Sequence, residues 1–190
     1  MSAHEFADLA AWEAWLERHH GDRTEAWLRI GKRRTALALI RIEDAIDGAL
    51  CFGWIDGQRK ALDGDSFLQR FSPRRAASPW SLVNRVKADG LVAAGRMRPA
   101  GAARIAEARA DGRWDAAYEG QRSAAVPPEL AAAAAAAGVE EALAALGRGE
   151  RYALMLPVLQ ARTAAARERI AARIAAGLAE RRGAGPAAPA

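Results

Sequence analysis

Asp63-Gly64 separates two short runs, GWIDGQRKAL and SFLQRF, and this turn constrains the fold more than any other feature of the chain. Asp-Gly supplies the left-handed backbone that a tight hairpin requires, so the flanking runs are expected to pair as antiparallel strands near 54–62 and 66–72. The run Trp27-Leu28-Arg29-Ile30 adds a third strand candidate near 26–31. A two- or three-stranded antiparallel sheet cannot bury its apolar face alone, so helices must cover it. The expected class is therefore α+β: a small antiparallel sheet packed with helices, followed by an all-helical C-terminal part.

The rest of the chain supplies those helices. Glu5 to His20 reads as an amphipathic helix, with Phe6, Leu9, Trp12 and Leu16 at helical spacing. A second helix follows through Ile42, Ile46 and Leu50, acidic in its first turn. Pro73 ends the last strand run, and everything beyond it is helical. Ser78-Pro79 predicts an N-cap followed by proline at the first helical position. Asp111-Gly112, Pro127-Pro128 and Gly147-Arg148-Gly149 punctuate the later helices, and the last one carries Ile170, Ile174 and Leu178 as a stripe. The composition shifts near Gln121 to Pro128. The expected organisation is an α+β region over 1–120, a helical region over 121–182 and a flexible tail over 183–190.

Several function classes are excluded or weakened by composition. No apolar run approaches the roughly 18 residues that a membrane span needs. The N-terminus carries acids early and lacks a basic segment followed by an apolar one, which points to a cytoplasmic location. Cys51 is the single cysteine, so no internal disulfide forms. His4, His19 and His20 all lie in the first helix region, far in sequence from the polar motifs. That leaves no ligand cluster for zinc and no histidine beside a nucleophile, and no metal or cofactor is expected. His19 and His20 precede Gly21, as befits a helix C-terminus. The net charge is +5, and all cations but Lys32, Lys60 and Lys87 are arginines. Because alanine and arginine are enriched together along the whole chain, this charge permits an anionic partner without implying nucleic acid.

Two stretches concentrate residues with chemical potential. In CFGWIDGQRK, strand alternation would place Trp54, Asp56, Gln58 and Lys60 on one face and Ile55, Arg59 and Ala61 on the other. Asp56 is then a candidate general acid or base, or a partner for arginine. Its competing role is turn chemistry, since Asp-Gly is itself a bend signal. In QRFSPRRAASPWSLVN, Arg70, Arg74 and Arg75 stand close to a helix start at Ser78, a combination suited to an anion. The competing role is a solvated loop with surface ion pairs. Trp80 and Asn84 are one helical turn apart, and Trp80 suits either a ligand platform or a core anchor. Arg113 and Trp114 follow the helix stop at Asp111-Gly112. Cys51, beside Phe52 at a helix end, reads as a small buried hydrophobe.

These motifs resemble the YdeI/OmpD-associated family, also called bacteriocin-protection proteins. ALCFGWIDGQRK from Ala49, RFSPRRAASPWSLVN from Arg70, GRMRPAG from Gly95, DGRWDAAY from Asp111 and QARTAAARERI from Gln160 carry the resemblance, which extends from about Trp12 to Leu178. Ala166 stands where that family usually has threonine. The resemblance implies an α+β unit followed by helices, a link to protection against cationic antimicrobial peptides, and no known catalytic residues. It also implies that Trp54, Asp56, Arg70, Arg74, Trp80 and Asn84 belong to one constellation.

Three functions follow for testing. The first is a non-enzymatic binding protein whose cleft holds a small anionic ligand or an acidic peptide, with Trp54, Asp56, Gln58, Arg70, Arg74, Ser78, Trp80, Asn84 and Arg113 as its binding residues. The second is an enzyme with Asp56 as acid/base and Arg70 and Arg74 clamping a negative substrate. The third is nucleic-acid binding by the basic helix after Thr163; this lacks a dense cationic block with interleaved aromatics, so nucleic acid is not the expected partner.

Overall fold

In a computed structural model, which describes residues 3–183, the chain divides into two compact units between Asp115 and Ala116. The first holds α1 (Leu9–His19), β1 (Ala26–Gly31), α2 (Ile42–Cys51), β2 (Trp54–Ala61), β3 (Ser66–Pro73), α3 (Leu82–Ala93) and α4 (Pro99–Ala110). The second holds α5 (Pro128–Ala136), α6 (Glu140–Ala145), α7 (Arg148–Gln160) and α8 (Ala164–Gly183). The expected tail over 183–190 lies, beyond Gly183, outside the described residues. The class is α+β, with an antiparallel three-stranded sheet and a helical C-terminal part.

The strands run in the order β1-β3-β2. The hairpin turn forms at Asp63-Gly64, where the Asp63 carboxylate accepts from the backbone N–H groups of Asp65 (2.9 Å) and Ser66 (2.6 Å). Four acceptor bonds and the Arg29 guanidinium hold this carboxyl well below the usual range, at about 2; the Ser66 hydroxyl is the largest cause. The Asp56-Gly57 pair makes no turn of its own. It lies inside β2, where the register against β3 shifts between Asp56 and Arg59.

That shift is a β-bulge, and it overturns the expected alternation. Asp56 pairs with Phe71 and Arg59 with Gln69, so Gly57 and Gln58 together oppose the single residue Arg70, and Asp56 and Arg59 fall on the same side. Lys60 moves to the opposite side, where its ammonium lies 4.5 Å from the Trp27 ring centroid. The side chain of Gln69 fixes the bulge. Its Nε2 donates to the Gly57 carbonyl at 2.9 Å, and its Oε1 accepts from Arg59 Nε at 3.1 Å. The amide thus satisfies a carbonyl that the broken ladder leaves without its strand partner.

The inner face of the sheet packs on α1 and α2. Phe71 lies 5.7 Å from Trp12, and Trp54 meets both Trp12 and Trp15 edge-on. Two of these buried indoles find acceptors: Trp12 Nε1 donates to the Ala45 carbonyl and Trp54 Nε1 to that of His20. Full burial of side chains this size contributes about 1.5–3 kcal/mol each. The first helix begins at Leu9 rather than Glu5, because Asp8 caps it by accepting from Ala11 N–H at 2.9 Å. His19 and His20 do end it. At the far side, α4 crosses the end of α2 so closely that a Cβ on Gly101 would stand 2.3 Å from the Cys51 carbonyl oxygen. Cys51 is buried and its thiol is pushed up to about 11 by that burial, consistent with a packing role.

The second unit has its own core of Leu130, Ala134, Val139, Leu143, Met155, Val158, Ala171, Ala175 and Leu178. The buried stripe of α8 is Ala171, Ala175 and Leu178, with Ile170 and Ile174 only partly covered. The expected Ile170–Ile174–Leu178 stripe is thus rotated by one position. Alanines on the seam let α5 and α8 approach closely, and this outweighs the larger apolar area of the isoleucines. Arg167 Nε donates to Glu129 at 2.5 Å across that seam, which holds the Glu129 carboxyl below its ordinary range.

Candidate functional site

The helix start expected at Ser78-Pro79 does not form. Ser81 caps α3, its hydroxyl accepting from Asn84 N–H at 3.2 Å, and the helix begins at Leu82. Arg74 supplies the reason. Its Nη1 donates to the Pro79 carbonyl at 2.9 Å, and that carbonyl is the one a helix starting there would need for its first turn. Arg113 does the same to the preceding residue, with Nη1 donating to the Ser78 carbonyl at 2.8 Å and Nε held by the Asp111 carboxylate. Ser78 and Pro79, between β3 and α3, are therefore held out of a helix by two guanidiniums. Both are buried, at 4% and 6% exposure.

This corrects the expected anion clamp. Arg74 lies face-on over Trp80, 3.8 Å from its ring centroid, and Trp80 meets Trp114 edge-on at 4.8 Å. Trp80 is a core anchor, and its Nε1 is buried without a hydrogen-bond partner among the described residues instead of pointing to a cleft. Trp54 is likewise a core residue, at 1% exposure. Gln58 is exposed on the bulge and lines neither of the cavities described next.

Two cavities flank Pro73. The larger, about 560 Å³ and open to solvent, is lined by Thr24, Ile55, Asp56, Gly57, Arg70, Ser72, Pro73, Arg75 and Ser78. The smaller, about 230 Å³, takes Trp54 and Arg74 together with His20, Gly53 and Arg104. The constellation expected from the two motifs is therefore split. Asp56, Arg70 and Ser78 share one cavity; Trp54 and Arg74 share the other; Trp80, Asn84 and Arg113 build the wall behind them.

The larger cavity sits at the open end of the sheet. Arg70, Ser72 and Ile55 belong to the face opposite Phe71, as alternation from the Asp56–Phe71 pair requires. Arg70 Nε donates to Glu25 at 2.6 Å, and this contact holds the Glu25 carboxyl below its usual range. Arg75 is exposed, and its guanidinium makes no hydrogen bond or ion pair with any described residue. Three hydroxyls, from Thr24, Ser72 and Ser78, complete the polar lining, and Ile55 and Pro73 are its apolar part. Sequence reasoning missed Thr24 and Ser72, which carry no local motif and arrive only through the β1–β3 pairing.

Asp56 lies at the boundary between this cavity and the inner wall. Burial pushes its carboxyl above the ordinary carboxylate range, and Arg59, a hydrogen bond from Asn84, and Arg74 oppose that rise. Arg59 and Arg74 act on Asp56 through their charge, and Gln69 and the Pro79 carbonyl hold these two guanidiniums in place. Among the described residues, no group of three or more His, Cys, Asp or Glu side chains stands ready to hold a metal ion. No described helix is long and apolar enough to cross a membrane.

Residues 4–104 match the model of a domain family of unknown function, DUF8412. The match spans β1 to β3, α1 to α3 and the first turns of α4, and so contains every residue of the larger cavity. No curated protein and no solved structure matches the chain.

Proposed function

The chain belongs to the DUF8412 family, and from the cavity within that domain we propose that it is a binding protein for a small anionic ligand. The observation that carries this reading is Arg75: an exposed guanidinium without a partner among the described residues, on the rim of a cavity that also holds Arg70 and three hydroxyls. Guanidinium groups bind carboxylate or phosphate in a planar fork, and hydroxyls complete the coordination of the remaining oxygens. A cavity of about 560 Å³ is in the size range of ligand sites. The resemblance to bacteriocin-protection proteins extends the proposal to a role in resistance to cationic peptides. The cations on the rim would repel such peptides, so the role would be exerted through an anionic ligand or acidic peptide rather than by direct capture.

The test is a thermal-shift series with inorganic phosphate, citrate and an oligoglutamate peptide. A bound anion at a hundred times its dissociation constant contributes about 2.7 kcal/mol, which raises the melting temperature. Arg75→Ala should remove most of that rise, and an unchanged rise in this variant would place the anion elsewhere.

One observation favours a second reading. A carboxyl raised by burial, at the wall of a cavity and beside arginines, is the environment of a general acid or base. If Asp56 acts on the bound anion, Asp56→Asn keeps the thermal shift and loses turnover of any substrate found. The basic-helix reading gains no comparable support: Arg169 and Arg173 on α8 are interspersed with Glu168 and Glu180.

A further inference from the structure

Resting on that reading of the cavity, we propose that Glu25 is a positioning residue for the anion site: it holds Arg70 by a single nitrogen and leaves the two terminal nitrogens turned to the ligand over Gly57. A guanidinium offers two forked edges, one of Nε with a terminal nitrogen and one of the two terminal nitrogens together. Glu25 Oε2 takes Nε alone, at 2.6 Å, and no other described group bonds to the Arg70 guanidinium. The far edge is therefore the one available to an oxygen pair. Nη1 of that edge lies on the open side of Gly57, since a Cβ built there would stand 3.8 Å from Arg70 Nη1. Gly57 and Arg70 both line the cavity, so the space beside Nη1 is cavity space.

The backbone explains how this arises. Glu25 directly precedes β1, and Ala26 pairs with Phe71, the neighbour of Arg70. Sheet pairing thus sets the carboxylate beside the Nε of residue 70, and the bulge in β2 brings Gly57 across the same guanidinium. The glycine is not demanded by tight packing, because the nearest atoms to its absent side chain are at ordinary contact distance. A side chain at position 57 would instead occupy the room in front of the arginine. The ligand class implied is an organic or inorganic anion with at least two coplanar oxygens, a carboxylate or a phosphate.

The experiment measures affinity by calorimetry with inorganic phosphate and, separately, with citrate, on the full chain. Glu25→Gln should weaken binding about three- to tenfold, since one charge-assisted hydrogen bond no longer orients Arg70. In an Arg70→Lys background the sign should reverse. A single ammonium serves either Glu25 or the ligand, so adding Glu25→Gln there should tighten binding. A carboxylate of merely structural importance would weaken both backgrounds alike. Gly57→Ala should remain folded and lose affinity. Tighter or unchanged binding in Glu25→Gln with Arg70 present would overturn the proposal and make Glu25 a competitor or a bystander. Unchanged affinity in Gly57→Ala would also overturn it. If neither phosphate nor citrate binds the unaltered protein, the anion-binding reading itself fails, and this inference falls with it.

Discussion

Four arginines stand around one corner of the sheet and serve two different ends. Arg74 and Arg113 are buried, and each spends a terminal nitrogen on a backbone carbonyl of the segment before α3. Arg70 and Arg75 line an open cavity, one anchored through Nε alone and the other unpartnered among the described residues. The four lie in two motifs of the same chemistry, and charge alone does not tell them apart. The difference is which backbone carbonyls lie within reach. A guanidinium buried beside an unpaired carbonyl becomes part of the scaffold, because leaving either group unsatisfied costs about 1–3 kcal/mol. One held at the rim keeps its donors for a ligand.

Breaking the buried pair should have the largest effect. Arg113→Ala removes the bond to the Ser78 carbonyl and the guanidinium contact to Asp111, and Arg74→Ala removes the bond to Pro79 and the cover over Trp80. Each should cost about 2–4 kcal/mol in denaturant melts. A loss below about 0.5 kcal/mol, the scale of ordinary surface changes, would put Arg74 or Arg113 in the same class as the rim pair.

Gln69→Ala comes next, with an expected loss of about 1–3 kcal/mol because the Gly57 carbonyl in the bulge loses its donor. It should also blunt the thermal shift with anions, since Gly57 and Asp56 both move with the bulge. Loss of stability with full anion response would separate the bulge from the cavity.

A smaller effect distinguishes the two carboxyls by the sign of their pH dependence. Asp56 is raised in the folded state, so its contribution is complete at low pH and is lost as pH rises from about 3.9, the unfolded value, through its folded one. Asp63 is depressed to about 2, so its contribution is complete at neutral pH and is lost as pH falls below about 3.9. In urea melts across pH 2 to 8, Asp56→Asn should flatten the decline that sets in as pH rises above about 3.9, and Asp63→Asn should flatten the decline as pH falls from about 3.9 towards 2. Identical pH profiles for Asp56→Asn and the unaltered protein would remove the carboxyl from the buried wall.

The smallest effect on stability belongs to the rim. Arg75→Ala should leave the unliganded protein within about 0.5 kcal/mol of the original while removing its response to phosphate. A large stability loss would show that Arg75 has a structural partner after all and would collapse the contrast between the two pairs.

The sheet was legible because its signals are local. Expected strands at 26–31, 54–62 and 66–72 lie within one residue of Ala26–Gly31, Trp54–Ala61 and Ser66–Pro73, since β-branched and aromatic residues bounded by Asp-Gly and Pro leave little choice. The candidate site was legible only in part. Strand parity fails at Asp56 because a bulge depends on Gln69, thirteen residues away on the next strand. The cap moved from Ser78 to Ser81 because Arg74 competes for the Pro79 carbonyl, which no propensity scale registers. Burial of Arg74 and Arg113 is a tertiary outcome of the same kind. Thr24 enters the cavity through the pairing of β1 with β3, which no short motif contains.

The bulge has one more consequence, for how the molecule behaves beside its own copies. β2 is the edge of the sheet, and an edge of eight residues is long enough to template the strand of another chain. The doubled residue at Gly57-Gln58 puts its backbone N–H and C=O groups out of step with any straight partner, and Arg59 and Lys60 add two positive charges beside it. An incoming β2 from a second molecule would meet both a broken hydrogen-bond rhythm and like charge. The distortion that opens a cavity on one side of the strand thereby guards its other side against aggregation.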